Sequence, residues 1–273
     1  MLPTFSSAIA ILVLIGWAWL GLKLRAPRLP MLKGGQTPSN KPLPDSLPAP
    51  VKRYAQALYG DSVPDVRSAI LQGRARLAPT GVSLPTRFRF YYDAADPGYY
   101  HDIRVTWWGR GILRIHERLR DGETVLDLSI LGRVENEPKI NRAGLQGFWA
   151  EVLAWIPAIA LLDTRIQWQA IDATSARMIL PGLDEGEAFT VRFDAETGLL
   201  TEVEARRWAD AGDESRKRWR NRVLRWEAMD GSAIPAVSET QWDDDKPWAT
   251  WEIDQIVLNA DVSARMSQFK GDV

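Results

Sequence analysis

From Leu2 to Leu22 no residue is charged, and the centre of this run, Ala8 to Leu22, reads AIAILVLIGWAWLGL. Its length, about 20 residues, is that of a helix crossing a bilayer. Trp17 and Trp19 fall near one end, where indoles favour the headgroup zone, and Lys23, Arg25, Arg28 and Lys33 follow. A cleaved signal peptide would need basic residues before the apolar stretch and a small-residue cleavage site after it. The first seven residues carry neither Lys nor Arg, so an uncleaved transmembrane anchor over 1–23 is predicted, in contact with the bilayer through residues 2–22. A buried soluble helix is disfavoured because nothing polar breaks the run on any face.

The pattern then changes three times. Residues 24–48 form a spacer dense in proline, with Pro27, Pro30, Pro38, Pro42, Pro44 and Pro48, plus Gly34 and Gly35. Proline at this density stops a helix and favours extended chain. In PVKRYAQALYG, Val51, Tyr54, Ala55 and Leu58 share one helical face, predicting a short helix over 49–59 that stops at Gly60. From Val66 the period becomes two. RFRFYYD, YYHDIRVTWW, GILRIHERL and TVLDLSIL alternate apolar with polar residues, broken by Gly109, Gly111 and an Asp121-Gly122 turn signal.

One helical stretch interrupts near 141–162. Leu145, Phe148, Trp149, Val152, Trp155 and Ile156 make an apolar stripe, Asn141 is placed to cap the start, and Pro157 should kink or divide the helix. Strand patterns resume in RIQWQAID, SARMILPG, AFTVRFD, GLLTEVEARRW, NRVLRWEAM, AIPAVSETQW and PWATWEIDQIVL, with turns at Asp194–Gly198 and Asp243–Pro247. Ten or so strands and one long helix predict a mainly β (α+β) domain over 49–260. Its expected form is a large curved antiparallel sheet or half-barrel with the helix packed on it, preceded by the transmembrane helix and followed by a tail over 261–273.

Composition narrows the chemistry. The 273 residues are 45% hydrophobic and 25% charged, so the body can bury a core. A formal net charge of -1 gives no reason to expect a nucleic-acid partner. Without cysteine there are no disulfides, thiolate metal sites or cysteine nucleophiles, and with two histidines, His101 and His116, a histidine-rich metal site is disfavoured. No phosphate-binding loop, nucleotide glycine fingerprint or nucleophile elbow occurs. No cofactor is expected.

Glu151 sits beside the apolar stripe of the long helix, and a partly buried carboxylate needs a partner or a proton. Arg142, Arg165 or a sheet arginine could pair with it in a structural ion pair; alternatively it is the polar end of an apolar pocket, or a catalytic acid. The thirteen tryptophans read first as core, yet one face of a curved sheet could collect several of them. With Trp155 on the helix and Trp108, Trp168, Trp242 and Trp251 on separate strand segments, these form the candidate ligand-binding set together with Glu151. Trp107 and Trp108, if both lie in a strand, point to opposite faces, as do Trp248 and Trp251, and His116 and Glu117. In RKRWRNRVLR, Arg218, Arg220 and Arg222 are candidates for an anionic headgroup, opposed by Asp210, Asp213, Glu214 and Asp243–Asp245 nearby in sequence.

LQGFWAEVLAWIPAIALLDTRIQWQAIDATSARMIL, with Glu151, Trp155, Pro157, Trp168, Asp172 and Ala176, resembles an uncharacterised bacterial membrane-anchored family of unknown function. LPAPVKRYAQALYG and FDAETGLLTEVEARRW resemble its opening helix and a strand–turn–strand, and the resemblance spans most of 47–258. The overall pattern is similar to lipoprotein-carrier-like curved-sheet proteins, whose half-barrel wraps a helix and holds an acyl chain. That resemblance implies lipid or other apolar-ligand binding in the concavity and leans to an extracytoplasmic domain, whereas the basic residues after the anchor argue for the cytoplasmic side. The alternatives are a structural or interaction protein of the envelope without ligand and an unrecognised hydrolase using Glu151.

Overall fold

A computed structural model of the chain describes residues 5–229 and 232–267. Among them, thirteen strands form one antiparallel sheet with a single departure from sequence order. Strands β3 (Ser68–Leu77), β4 (Leu84–Asp93), β5 (Gly98–Trp107), β6 (Arg110–Arg120), β7 (Glu123–Asp127) and β8 (Arg133–Val134) make one meander. Strands β9 (Gln167–Ala170), β10 (Ser175–Ile179), β11 (Phe189–Phe193), β12 (Leu200–Arg207), β13 (Lys217–Met229), β14 (Ser232–Trp242) and β15 (Ala249–Leu258) make a second. The first strand of one meander pairs with the last of the other, Ala69 opposite Leu258 and Leu77 opposite Ala249. The far edges, β8 and β9, do not pair, so the sheet is open. A small ribbon pairs β1 (Asn40–Pro42) with β2 (Ser62–Pro64).

The helices occupy one face. They are α2 (Ala49–Tyr59), α3 (Pro138–Trp155) and α4 (Pro157–Leu162), with α1 (Phe5–Lys23) ahead of the body and α5 (Ser263–Met266) after it. Helix α3 touches both β7 and β12, which lie eight strand spacings apart in the sheet, about 38 Å on a flat surface. A helix about 10 Å across reaches both only because the sheet bends around it. Hydrogen bonds pin it at each side: the Thr124 amide donates to Asn141 Oδ1 at 2.7 Å, and Gln146 Nε2 donates to the carbonyls of Glu187 and Arg206 at 3.0 and 3.1 Å. Gly144 permits the approach, since a β-carbon there would lie 2.0 Å from Thr124 Oγ1.

Alternation fixes the inner face. Phe88, Phe90 and Tyr92 point inward from β4 beside Leu71 and Ala75 of β3 and Trp251 of β15, and they meet Phe148, Trp149, Val152 and Trp155 of α3. The outer face holds a small apolar cluster of Ile70, Tyr91, Tyr100, Val262 and Met266 beside α5.

The helix over 49–59 and the division at Pro157 match the pattern, as does the Asp121-Gly122 turn, whose residues both take positive φ, 53° and 77°. Three local expectations change. Asn141 does not cap α3, which begins at Pro138; its side chain serves β7 instead. Trp108 is not in a strand but in a two-residue turn with φ 51°, followed by Gly109 at φ 74°, the left-handed pair that joins strands tightly. Trp248 precedes β15, so it lies edge-on against Trp251, ring centroids 6.2 Å apart, rather than facing away.

The predicted anchor is the helix α1, and Ile11, Val13, Leu14, Ile15, Trp17, Trp19 and Leu20 on it are exposed. No helix among the described residues is long and apolar enough to cross a membrane. Leu2, Pro3 and Thr4 of the expected span lie outside the described residues, as do 268–273 of the tail. The end of α1 docks on two hairpin tips. Trp17 packs edge-on to Trp107 at 4.5 Å and stacks on Trp108 at 5.6 Å, Trp107 Nε1 donates to the Ala18 carbonyl at 2.9 Å, and Arg76 donates to the carbonyls of Leu22 and Lys23 at 2.7 and 2.8 Å. The Leu22 and Lys23 carbonyls are among the last four, which a helix leaves without internal partners.

Candidate functional site

Two features meet at α3, a buried polar cluster and a groove of mixed lining, joined by the single turn from Glu151 to Trp155. The polar one surrounds His101, which β5 presents to the core 3% exposed. Its Nε2 lies 3.1 Å from Glu151 on α3, and its Nδ1 lies 3.7 Å from Glu117 on β6. Neighbouring hydroxyls complete both carboxylates: Tyr92 donates to Glu151 at 2.9 Å and Tyr99 to Glu117 at 2.6 Å. Tyr99 also stacks flat on the imidazole, centroids 4.1 Å apart. Burial works against an imidazolium here, but the Glu151 charge and the contacts with both carboxylates outweigh it and lift the His101 pKa to about 9. For Glu117, burial would raise the pKa, yet the pairing with His101 holds it below the ordinary carboxylate range. Burial pushes the Tyr92 and Tyr99 hydroxyls up, reinforced by the two carboxylates, and depresses the nearby Arg207 guanidinium. Two cations, His101 and Arg207, thus face two anions.

Of the partners expected for Glu151, Arg142 bonds Glu187 and Asp184 instead and Arg165 bonds Asp163, while a sheet arginine, Arg207 of β12, lies near enough to feel the Glu151 charge. The true partners, His101 and Tyr92, carry a weak sequence signal. Each of the stretches YYHDIRV and RIHERL places one ionisable residue at a position whose neighbours two away, Tyr99 and Ile103 or Ile115 and Leu119, are core residues. His116 and Glu117 do point to opposite faces, His116 lying 3.7 Å from Asp102 on the outer side.

The groove opens where the sheet parts. Strands β14 and β15 pair from Val237 to Thr240 against Glu252 to Ala249. Beyond that point Ser232–Ala236 and Ile253–Leu258 have no ladder between them. Bulges in β15 between Ile253 and Gln255 and in β13 around Arg225 help to separate the two runs. A groove of about 670 Å³ fills the gap. Trp155, Ile156, Pro157 and Ala158 at the α3–α4 joint form its floor, Ile234 and Ile256–Leu258 its walls, and residues 34–38 of the spacer its rim. Gln36 donates to the Leu258 carbonyl at 3.1 Å to hold that rim. Gly35, at φ 107°, lies so close that a β-carbon would sit 2.6 Å from Val257 Cγ1 and 2.8 Å from the Leu258 carbonyl.

Of the candidate ligand-binding residues, Trp155 lines the groove, while Glu151 and Trp251 do not and sit in the core beside it. Trp155 and Trp251 lie 6.2 Å apart around Phe90, and Trp251 Nε1 donates to Thr240 Oγ1 at 3.0 Å. The other three lie apart: Trp108 against α1, Trp168 on the edge strand β9, and Trp242 opposite Trp219 at the far end of β14. Arg218 and Arg220 point at Asp244, and Arg222 lies within 3.6 and 3.7 Å of Glu202 and Glu239, so acids match these charges. The groove residues Gly35–Pro38 and Ser232–Ile234 carried no sequence signal, because the parting of two strands depends on a register that one strand does not encode.

An open antiparallel sheet wrapped around a central helix, with a parted seam beside that helix, defines a mainly β, curved-sheet protein. The chain belongs to the family of unknown function DUF6544, whose pattern it matches over residues 36–253. No curated protein sequence matches it. Among solved structures it is similar to a LolA superfamily protein from Nitrosomonas europaea, at 9% identity and TM-score 0.46, over 80% of this chain and 94% of that one. It is also similar to a DUF1329 family protein from Desulfovibrio piger, at 9% identity and TM-score 0.44, over 76% and 90%. Likeness at this distance carries no ligand or activity across.

Proposed function

We propose that this protein binds a lipid or another apolar molecule in the groove between β14 and β15, while α1 holds it to a membrane. The observation that carries the ligand reading is the unpaired seam above Trp155–Ala158. Its lining sets apolar groups from the helix joint and the sheet, Trp155, Ile156, Ala158 and Ile234, beside polar groups such as Thr37, Ser62 and Gln255, and its volume of about 670 Å³ lies in the range of about 300–1,000 Å³ usual for small-molecule sites. The space beneath α3 itself is packed with aromatic side chains, so the ligand would lie beside the helix rather than under it. Polar groups at the rim, among them Gln36, Asn40 and Gln255, would orient a headgroup or carboxylate outside the apolar part. The membrane reading is supported by the exposed apolar side chains of α1 and by Lys23 and Arg25 at its end.

Binding of a fluorescent fatty acid to the detergent-purified full chain tests the groove. Ala233 is exposed on its wall, so Ala233→Trp fills the space without touching the core. The substitution should weaken binding by at least ten-fold and leave the melting temperature within a few degrees. Equal binding by both forms would remove the groove from consideration and favour an envelope protein that uses this surface for a partner.

A further inference from the structure

The outer face of the sheet carries an arrangement that packing alone does not explain. Four arginines stand in cross-strand register on four adjacent strands: Arg74 opposite Arg87, Arg87 opposite Arg104, and Arg104 opposite Arg114. Strands lie about 4.8 Å apart, and like charges placed directly opposite one another destabilise a sheet. Two of the four are neutralised. Arg74 makes a bidentate bond to Asp254 at 2.9 and 2.8 Å, and Arg104 one to Asp102 at 3.1 and 2.8 Å. Asp102 is further engaged by His116. Between them, Arg87 has no hydrogen-bond or ion-pair partner among the described residues, and its Nε is buried. One row along, Arg89 bonds a neutral acceptor, Gln72 Oε1, at 3.0 and 2.7 Å.

These side chains do not simply face solvent. The spacer crosses over them, held by Gln72 Nε2 on the Pro30 carbonyl at 3.1 Å and by the Leu32 amide on Gln255 Oε1 at 2.8 Å. It encloses a pocket of about 360 Å³ lined by Leu29–Leu32, Arg87, Arg89, Tyr91, Asp102, Arg104 and Arg265. Arg87 and Arg89 thus line it beside the Arg104–Asp102 pair, whose carboxylate is already bonded to Arg104.

We infer that this pocket binds a phosphate-type oxyanion, with Arg87 and Arg89 as its principal donors. Guanidinium groups match the oxygens of phosphate with paired, charge-assisted hydrogen bonds. An anion seated between the Arg74 and Arg104 pairs would relieve the repulsion along the row. The apolar side of the spacer beside it suits a phosphate that carries an apolar group, but a free phosphate offers the same oxygens. The inference does not rest on the groove between β14 and β15, whose lining shares Leu32 with this pocket but none of its arginines.

The test uses the full chain in neutral detergent micelles and reads binding by calorimetry. One arm titrates inorganic phosphate against chloride at matched ionic strength; the other dopes the micelles with phosphatidic acid or, as a phosphate-free control, diacylglycerol. Saturable binding in the first arm assigns a free phosphate, in the second alone a lipid headgroup, and in both a site that takes either. Arg87→Gln and Arg89→Gln should each weaken that binding about ten-fold, and Met31→Glu, which puts a carboxylate on the exposed spacer wall, should do the same without altering the sheet. Arg220→Gln, on the matched surface of β13, should change nothing. No response to phosphate or phosphatidic acid beyond the controls, or affinity unchanged in all three pocket variants, overturns the inference.

Discussion

At the scale of single residues, His101 shows how a fold can hold charge inside a core. Isolated, an imidazole in that position would be neutral, since burial disfavours the charged form. Glu151 and Glu117 reverse this and raise its pKa from 6.5 to about 9. A group whose pKa is higher folded than unfolded stabilises most when it is protonated in both states. The His101 contribution is therefore complete below about pH 6.5 and is lost as pH rises through about 9. Glu117, held low, acts at the other end, and its contribution fades as pH falls through its depressed pKa. Denaturation with urea from pH 6 to 10 should show stability declining on the alkaline side, and His101→Gln should flatten that decline. Glu151→Gln keeps an acceptor for Tyr92 but removes one charge facing the imidazolium, costing about 1–3 kcal/mol in the same measurement. Loss of stability would mark Glu151 as a structural ion partner; unaltered stability with a lost hydrolytic turnover would favour the catalytic alternative. Glu151 was legible in the sequence as a carboxylate beside an apolar stripe. Its partners were only faintly so, because His101 and Tyr92 meet it only once β4 and β5 pair and the sheet bends toward α3.

At the scale of elements, closeness between α3 and β7 is what closes one side of the wrap. Replacing Gly144 by Ala would ordinarily favour a helix by about 1 kcal/mol, but the added carbon collides with Thr124. Gly144→Ala should therefore be net destabilising, by about 1–3 kcal/mol in chemical denaturation, and Thr124→Ala should restore part of the loss in the double variant. A similar argument holds for the spacer. Gly35→Val would push the strap off Val257 and Leu258, so limited proteolysis should cut near residues 33–39 faster while the strands resist as before. Helices were the most legible elements: the 3.6-residue stripe gave α2 with its limits and gave α3 and α4 with their break at Pro157. Strand existence was legible from alternation, but not the partner of each strand. The joining of β3 to β15, residues far apart in sequence, follows from how two meanders meet rather than from any local pattern.

For the whole molecule, three features lie around one bent sheet. Helix α1 projects an apolar surface from the hairpin tips, an arginine row lies under the spacer on the outer face, and a groove opens where β14 leaves β15. The spacer links all three, running from the end of α1 past the arginines to the rim of the groove. The proline-rich composition made the segment recognisable as extended chain, yet its contact with the sheet depends on Pro30, Leu32 and Gln36 bonding to Gln72, Gln255 and Leu258, which composition does not reveal. Detergent extraction should be needed to release the full chain from membranes, and high salt or carbonate should leave it bound; release by salt alone would mean that α1 is not lodged in lipid.

Photo-crosslinking with a diazirine-bearing fatty acid, followed by peptide mapping, addresses the ligand groove most directly. Labels should concentrate on Trp155–Ala158 and Ile256–Leu258 and vanish in Ala233→Trp. Labels scattered over exposed apolar residues such as Ile112, Ile171 and Leu224, undiminished by that substitution, would contradict a ligand seat at the parted seam.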